Sequence, residues 1–190
     1  MNLVQASQNW RWVFNPETQQ LSIELGDGLM HACPYKTSKL VSMHAMNAAF
    51  TLEDAAEFQE IFDVLSGYDH WAPMQIVQIA LNHTIIRRFG RPQMPQSWHF
   101  QQQTHCPGYH LQKGVLVELN SGMASATFVI LGIDGEFAEC MLLDKQMELS
   151  EIKSLSEFDV VKVLTNRLQS SRIIQPENKQ TSGGSFRQRA

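Results

Sequence analysis

The stretch Arg91-Pro92-Gln93-Met94-Pro95-Gln96 limits what this chain can fold into more than any other. Each proline fixes φ, lacks an N–H and disfavours helix at the residue before it, so no regular helix crosses the stretch. The sequence changes character there. Helical periodicity runs up to it, and short segments broken by turns follow. The joint divides the chain into residues 1–91 and 92–169, with 170–190 as a tail.

Upstream, Asn9 to Phe14 alternates with period two, placing Trp10, Trp12 and Phe14 on one face of a strand. Leu21, Ile23 and Leu25 alternate again, and Asp27-Gly28 tolerates the positive φ of a tight hairpin. A third strand over Leu29 to Cys33 completes an antiparallel meander. Thr51 with Asp54 forms a capping box, followed by Leu52, Ala55, Phe58, Ile61, Phe62 and Leu65 at helical spacing until Gly67. Pro73 opens a second helix whose apolar arc, from Met74 to Ile86, is wide enough for a largely buried element. It closes on Arg87-Arg88-Phe89-Gly90-Arg91, cations at the negative end of the helix dipole.

Downstream, the pattern predicts strands over Ser97–Gln103, Gly114–Leu119, Ala126–Leu131, Phe137–Leu143 and Gln146–Ile152. Ser156 with Asp159 caps a predicted last helix that buries Phe158, Val161, Leu164 and Leu168. The fold class is therefore α+β. An N-terminal α/β domain of meander plus two helices precedes a small barrel-like domain with a C-terminal helix. From Ser170 the polar tail reads as disordered, and its Arg172, Lys179, Arg187 and Arg189 face only Glu177. With a formal net charge of −4, the body is acidic and the tail basic, which argues against wholesale nucleic-acid binding.

Hardware for catalysis is missing from the pattern. There is no Gly-rich phosphate loop, no GxSxG elbow and no HExxH. His105, Cys106 and His110 fall short of the four ligands of a structural zinc site, and Pro107-Gly108 between them reads as a turn. Cys140 sits in an apolar run, where a buried thiol is inert. No catalytic, cofactor or metal residues are assigned. The three cysteines are spread and unpaired by motif, and no stretch reads as a signal peptide or membrane span, which fits a reducing cytoplasm.

Two features fit a binding role. Trp10, Trp12 and Trp98 are either core rings or the walls of a groove for an apolar peptide, with core favoured for the stripe Trp10, Trp12 and Phe14, and Trp98 with Phe100 expected to anchor the first strand beyond the proline loop. Arg87, Arg88 and Arg91, reinforced by Lys36 and Lys39, form a basic patch beside Gln93, Met94 and Gln96, or else simply cap the helix end. A pocket between the helical layer and the barrel, serving a small molecule, a peptide or an enzyme reaction, is the second reading of the chain. A homo-oligomeric adaptor is the third.

Asn9-Trp10-Arg11-Trp12 with Phe14, then Phe50-Thr51-Leu52-Glu53-Asp54-Ala55-Ala56, then Pro92-Gln93-Met94-Pro95-Gln96-Ser97-Trp98-His99-Phe100 occur in order, followed by Cys140-Met141-Leu142-Leu143 and Asn166-Arg167-Leu168. Together they resemble the ZapC family of Z-ring-associated cell-division proteins, over residues 7 to 169. That resemblance implies a non-enzymatic cytoplasmic protein at midcell. It would bind the tubulin-like GTPase FtsZ, promote lateral association of its protofilaments, stabilise the Z-ring and reduce GTP turnover. It also implies an α/β domain followed by a twisted barrel-like domain, and a contact surface of basic character around the proline loop. The expected partner segment is FtsZ's flexible C-terminal peptide, acidic and apolar, bound by a monomer that needs no cofactor, nucleic acid or membrane.

Overall fold

A computed structural model describes residues 9–105, 107 and 110–173. Four strands, β1 (Arg11–Asn15), β2 (Gln20–Gly26), β3 (Leu29–Ala32) and β4 (Met46–Ala49), form an antiparallel sheet in the order β3-β2-β1-β4. Asp27 and Gly28 take φ of +51° and +77°, so the β2–β3 hairpin turns through the left-handed pair its sequence provides. The sheet turns Trp10, Trp12, Phe14, Leu21 and Ile23 inward onto two helices, α1 (Leu52–Ser66) and α2 (Pro73–Phe89). The Thr51 hydroxyl accepts from the Asp54 N–H at 3.2 Å while the Asp54 carboxylate accepts from the Thr51 N–H at 2.8 Å, closing the capping box.

Beyond the proline loop, β5 (Leu116–Asn120), β6 (Ser125–Asp134), β7 (Phe137–Leu142), β10 (Val160–Leu164) and β11 (Gln169–Ser170) form an open sheet in the order β10-β7-β6-β5-β11. A hairpin of β8 (Gln146–Ser150) and β9 (Lys153–Ser156) stands beside it. Alternation sorts this sheet onto two cores. Val117, Phe128, Ile130, Cys140, Leu142 and Val161 pack under the hairpin with Phe100 and Leu168. Leu116, Val129, Leu131, Met141, Leu143 and Val160 pack instead with the helices and the tryptophans of the first sheet. The layers therefore run sheet, helices, sheet. This explains why α2 buries residues around most of its circumference, including Asn82, His83 and Thr84.

Several expectations change. The sheet is not a closed barrel: its β6 run Ala126–Leu131 is buried on both faces, covered by helices on one and a hairpin on the other. Ser97–Gln103 is not a strand but a single 3-10 turn, Ser97–His99, followed by irregular chain. The last helix is absent. Val160-Val161-Lys162-Val163-Leu164 pairs with β7 instead, the β-branched residues favouring strand. Asp159 accepts from the Ser156 N–H at 2.9 Å to cap a turn rather than a helix. Past residue 169, Ser170 pairs with Val117 and Arg172 binds Glu118 through its backbone N–H at 3.0 Å and its Nε at 3.1 Å, so the folded body reaches further than the sequence reading placed it. The tail from 174 onward lies outside the described residues.

Candidate functional site: the helix end and the proline loop

The residues expected to form one basic patch separate into three environments. Arg88 points back into the fold. Its guanidinium bonds the buried carboxylate of Asp54 and lies over the rings of Trp12 and Phe89, 5.6 and 5.4 Å from their centroids. Asp54 also accepts from the Trp12 indole N–H at 2.8 Å. Burial alone would raise the Asp54 pKa, but the donors Arg88, Trp12 and Thr51 outweigh it and hold the carboxyl below its usual range. Arg88 is thus the counter-ion of a helix cap.

Arg87 lies 3.9 Å from Glu57, which belongs to a second network. His83, fully buried on α2, bonds Glu57 through Nε2 at 2.8 Å, and Lys113 bonds both Glu57 and Glu60. The His83 hydrogen bond, with Lys113 helping against partial burial, pulls Glu57 down to about 2. Burial pushes His83 the other way, below its ordinary value, so it is neutral with Nε2–H donating and its buried Nδ1 without a partner among the described residues. Thr51, Glu53, Asp54, Glu57, Thr84, Arg87 and Arg88 line an open cleft of about 340 Å³ here.

Lys36 and Lys39 sit elsewhere. They line a cleft of about 280 Å³ with Tyr35, Ser156 and Asp159, and Lys39 pairs with Asp159 at 2.7 Å. Arg91 is held against the Lys39–Leu40 backbone, its Nε donating to the Leu40 carbonyl at 2.6 Å and its N–H to the Lys39 carbonyl at 3.0 Å.

The proline loop forms the third environment. Pro95 bridges Lys162 of β10, and the Gln96 N–H donates to the Lys162 carbonyl at 2.8 Å. The Ser97 hydroxyl accepts from the Leu164 N–H at 2.8 Å, and the Gln103 N–H donates to Asn166 at 2.8 Å. The segment from Pro95 to Gln103 therefore runs alongside Lys162–Arg167 as a fixed rail. Among the described residues Gln93 donates only to the Arg91 carbonyl, and Met94 is exposed. Lys153, at the tip of the β8–β9 hairpin, reaches Gln96 Oε1 at 3.3 Å and His99 Nε2 at 3.1 Å.

Of the tryptophans, Trp10 and Trp12 are core rings, edge-on to Phe58 and Phe89 and 2% and 0% exposed, so neither lines an open groove. Trp98 is exposed. Sequence reasoning missed Ile152 and Lys153, which belong to this surface. Their one signal was an isoleucine at the end of a predicted strand with no apolar partner pattern around it.

Burial pushes the Cys33 thiol up to about 11 and Cys140 higher still, so neither is a thiolate nucleophile at neutral pH. Among the described residues no cluster of three metal-ligating side chains exists, and Cys106 lies outside them. A cavity of about 200 Å³ does lie between α2 and the second sheet, lined by Trp71, Gln75, Gln78, Leu143, Lys145 and Phe158. No helix among the described residues is long and apolar enough to cross a membrane.

Two family models cover almost all of this body: cell-division protein ZapC, N-terminal, over residues 3–91, and cell-division protein ZapC, C-terminal, over residues 92–173. The chain is similar to the cell division protein ZapC of Idiomarina loihiensis, 43% identical over 166 residues that cover 87% of this chain and 89% of that protein. It is 33% identical to the ZapC of Shewanella frigidimarina over 90% of this chain and 95% of the relative. To that of Pseudoalteromonas translucida it is 30% identical, over 87% and 93%.

Proposed function

The chain belongs to the ZapC family of cell-division proteins, and we propose that within division it is a non-catalytic FtsZ-binding protein. It binds FtsZ protofilaments, draws them together laterally, and slows their GTP turnover at the midcell ring in the cytoplasm. It acts as a monomer, and the flexible C-terminal peptide of FtsZ, acidic and apolar, is its target.

One observation carries this reading. Beside the rail from Pro95 to Gln103 and at the start of the proline loop that leads into it, three cations have no carboxylate partner among the described residues: Arg91, Lys153 and Arg167. Arg91 is held by a carbonyl, Lys153 by Gln96 and His99, and Arg167 by Gln102 alone at 3.4 Å, its Nε buried without a partner. Elsewhere among the described residues of this acidic protein, Arg87, Arg88, Lys39, Lys113, Lys145, Lys162 and Arg172 are paired to acids, while Arg11 and Lys36 are not. Cations left free of internal partners favour an acidic partner, speeding encounter and fixing orientation.

The test is co-sedimentation of GTP-polymerised FtsZ with this protein at low and high salt, with GTP hydrolysis measured alongside. Wild type is expected in the pellet, more at low salt, with slowed hydrolysis. Arg91→Glu with Lys153→Glu should leave the pellet at low salt and stay folded by circular dichroism. A wild type that stays in the supernatant at both salt concentrations would refute the reading.

A further inference from the structure

The cavity of about 200 Å³ between α2 and the second sheet has walls of unlike character. Its floor is apolar: Ile79 and Leu143 belong to the shared core, and the rings of Trp71 and Phe158, partly buried against that core, line it with them. Donors come from the start of α2. Gln75 Oε1 accepts from the Ala72 N–H at 3.0 Å, which commits the oxygen and leaves Nε2 without an acceptor among the described residues. The Trp71 indole N–H has none there either. Carboxylates come from the second sheet. Asp144 spends one oxygen on the Thr127 N–H at 3.0 Å and Glu157 one on Lys145 at 2.6 Å, so each keeps an oxygen without a partner among the described residues. Phe158 adds a second sign. It holds a left-handed φ of +70°, a region that favours glycine, whereas Gln19 and Asp27, the other described non-glycine residues with positive φ, are exposed turn residues that line no cavity. Its N–H donates to the Leu142 carbonyl at 2.9 Å and its carbonyl accepts from the Tyr35 O–H at 2.9 Å, so the strained residue is tied on both sides. Strain of this kind collects where ligands are held.

From this arrangement we infer that the cavity is a binding site for a free amino acid with a large apolar side chain. The side chain rests on Ile79, Leu143, Trp71 and Phe158. The ammonium takes the open oxygens of Asp144 and Glu157. The carboxylate takes Gln75 Nε2, the Trp71 N–H and Lys145, whose side chain is 84% exposed and free to swing. The two unlike walls select a zwitterion. A polyamine would set its charge against Lys145 and leave the Gln75 and Trp71 donors with nothing to bond, and a phosphate would face two carboxylates. A hydrocarbon would cover donors and acceptors of both walls without pairing them, which is costly. Size points the same way, because about 200 Å³ is below the roughly 300–1,000 Å³ of sites for drug-sized ligands. The inference goes beyond the division reading and does not depend on it. Since Trp71 and Gln75 come from one half of the chain and Asp144 and Glu157 from the other, occupancy ties the halves together and stabilises the whole body.

Isothermal titration calorimetry of the full chain with L-phenylalanine and L-leucine, paired with thermal melts, tests this. Saturable binding at one site is expected, with Tm raised by about 5–10 °C at about 100 times the measured Kd. N-acetyl-L-phenylalanine lacks the ammonium, L-phenylalaninamide the carboxylate and glycine the apolar body, and each should bind at least about tenfold more weakly than L-phenylalanine. Two variants then locate the ends of the bound molecule. Gln75→Glu keeps the bond to the Ala72 N–H, so the helix start stays intact, but sets a carboxylate against that of the amino acid. It should weaken L-phenylalanine about tenfold or more without weakening phenylalaninamide. Glu157→Gln should weaken both of these and leave N-acetylphenylalanine unchanged. Circular dichroism and the melting temperature without added amino acid should match wild type in both variants. No saturable binding of either amino acid overturns the inference, as does affinity that neither variant moves. Equal binding of N-acetylphenylalanine or phenylalaninamide overturns it by reducing the site to apolar contact or to a single charge. Tighter binding of putrescine or of AMP than of either amino acid, weakened by the same substitutions, overturns it in favour of a cation or a nucleotide. FtsZ pelleting enters none of these outcomes, so this inference and the proposed function fail separately.

Discussion

Replacing Arg88 by alanine separates a structural cation from a contact cation. Asp54 is nearly fully buried, and Arg88 is about two-thirds so, with 31% of its side chain exposed. Removing one partner of a buried pair commonly costs about 3–5 kcal/mol because the other charge is left uncompensated. Here Asp54 keeps the Trp12 and Thr51 donors, so about 2–3 kcal/mol is the expected loss. That lowers Tm by about 5–10 °C for a chain of this size and the urea midpoint by about 1 M. The pH dependence is specific. Asp54's folded pKa is depressed, so its contribution is present above the unfolded carboxylate value of about 3.9 and is lost as pH falls through the folded value. Without Arg88 the depression shrinks. The gap between wild type and Arg88→Ala should therefore be full at pH 7 and should narrow below about pH 4. Urea titrations at several pH values measure it, and Asp54→Asn with Arg88→Ala completes a double-mutant cycle. A gap under about 0.5 kcal/mol, or one that does not change with pH, refutes the counter-ion assignment. Unchanged stability with lost FtsZ pelleting would return Arg88 to the contact surface.

His83 gives a second pH limb. Its folded pKa lies below the ordinary value through burial, so the unfolded chain takes the proton first. Stability present at neutral pH should decline as pH falls below about 6.5 and continue down to the folded pKa. His83→Gln, which can still donate to Glu57, should flatten that part of the curve, and an unflattened curve assigns the limb elsewhere. Gly114→Ala tests the seat of α1 on the second sheet. Gly114 has φ of +84° and an added Cβ would meet Val64 at 3.1 Å, so a loss of about 1–3 kcal/mol is expected in thermal melts, and no loss would mean the two layers part easily.

Local rules made much of the fold legible. The Thr51–Asp54 box, the Asp27-Gly28 hairpin and the proline start of α2 each depend on contacts within a few residues, and each stands as the sequence reads. The last helix failed because Phe158, Val161, Leu164 and Leu168 satisfy a helical spacing while Val160, Val161 and Val163 satisfy a strand, and pairing with β7 decides between them. The site was harder to read for the same reason. Nothing near Arg88 in sequence reveals that Asp54 and the Trp12 ring stand opposite its guanidinium, so three neighbouring arginines look alike although only Arg91 is free of acids. Lys153 lies 57 residues from Gln96, beyond any motif.

The proline loop is a joint in the sequence but not a hinge in the protein. Leu116, Val129, Leu131, Met141, Leu143 and Val160 from beyond it are buried in one cluster with Trp12, Phe58 and Ile85 from before it. Uncovering even half of those six side chains would cost on the order of 10 kcal/mol at about 1.5–3 kcal/mol for full burial of each, when their helical partners are exposed as well. That is comparable to the whole stability of a domain, about 5–15 kcal/mol. Further ties cross the seam: Tyr35 O–H to the Phe158 carbonyl at 2.9 Å, Lys39 to Asp159, and Lys113 to Glu57 and Glu60. Parting the halves would therefore amount to unfolding. It follows that the cleft at Arg87 and the surface at Trp98 keep a fixed separation and orientation. Any effect of a partner on one face must reach the other through a rigid body rather than through rotation about Pro92 and Pro95.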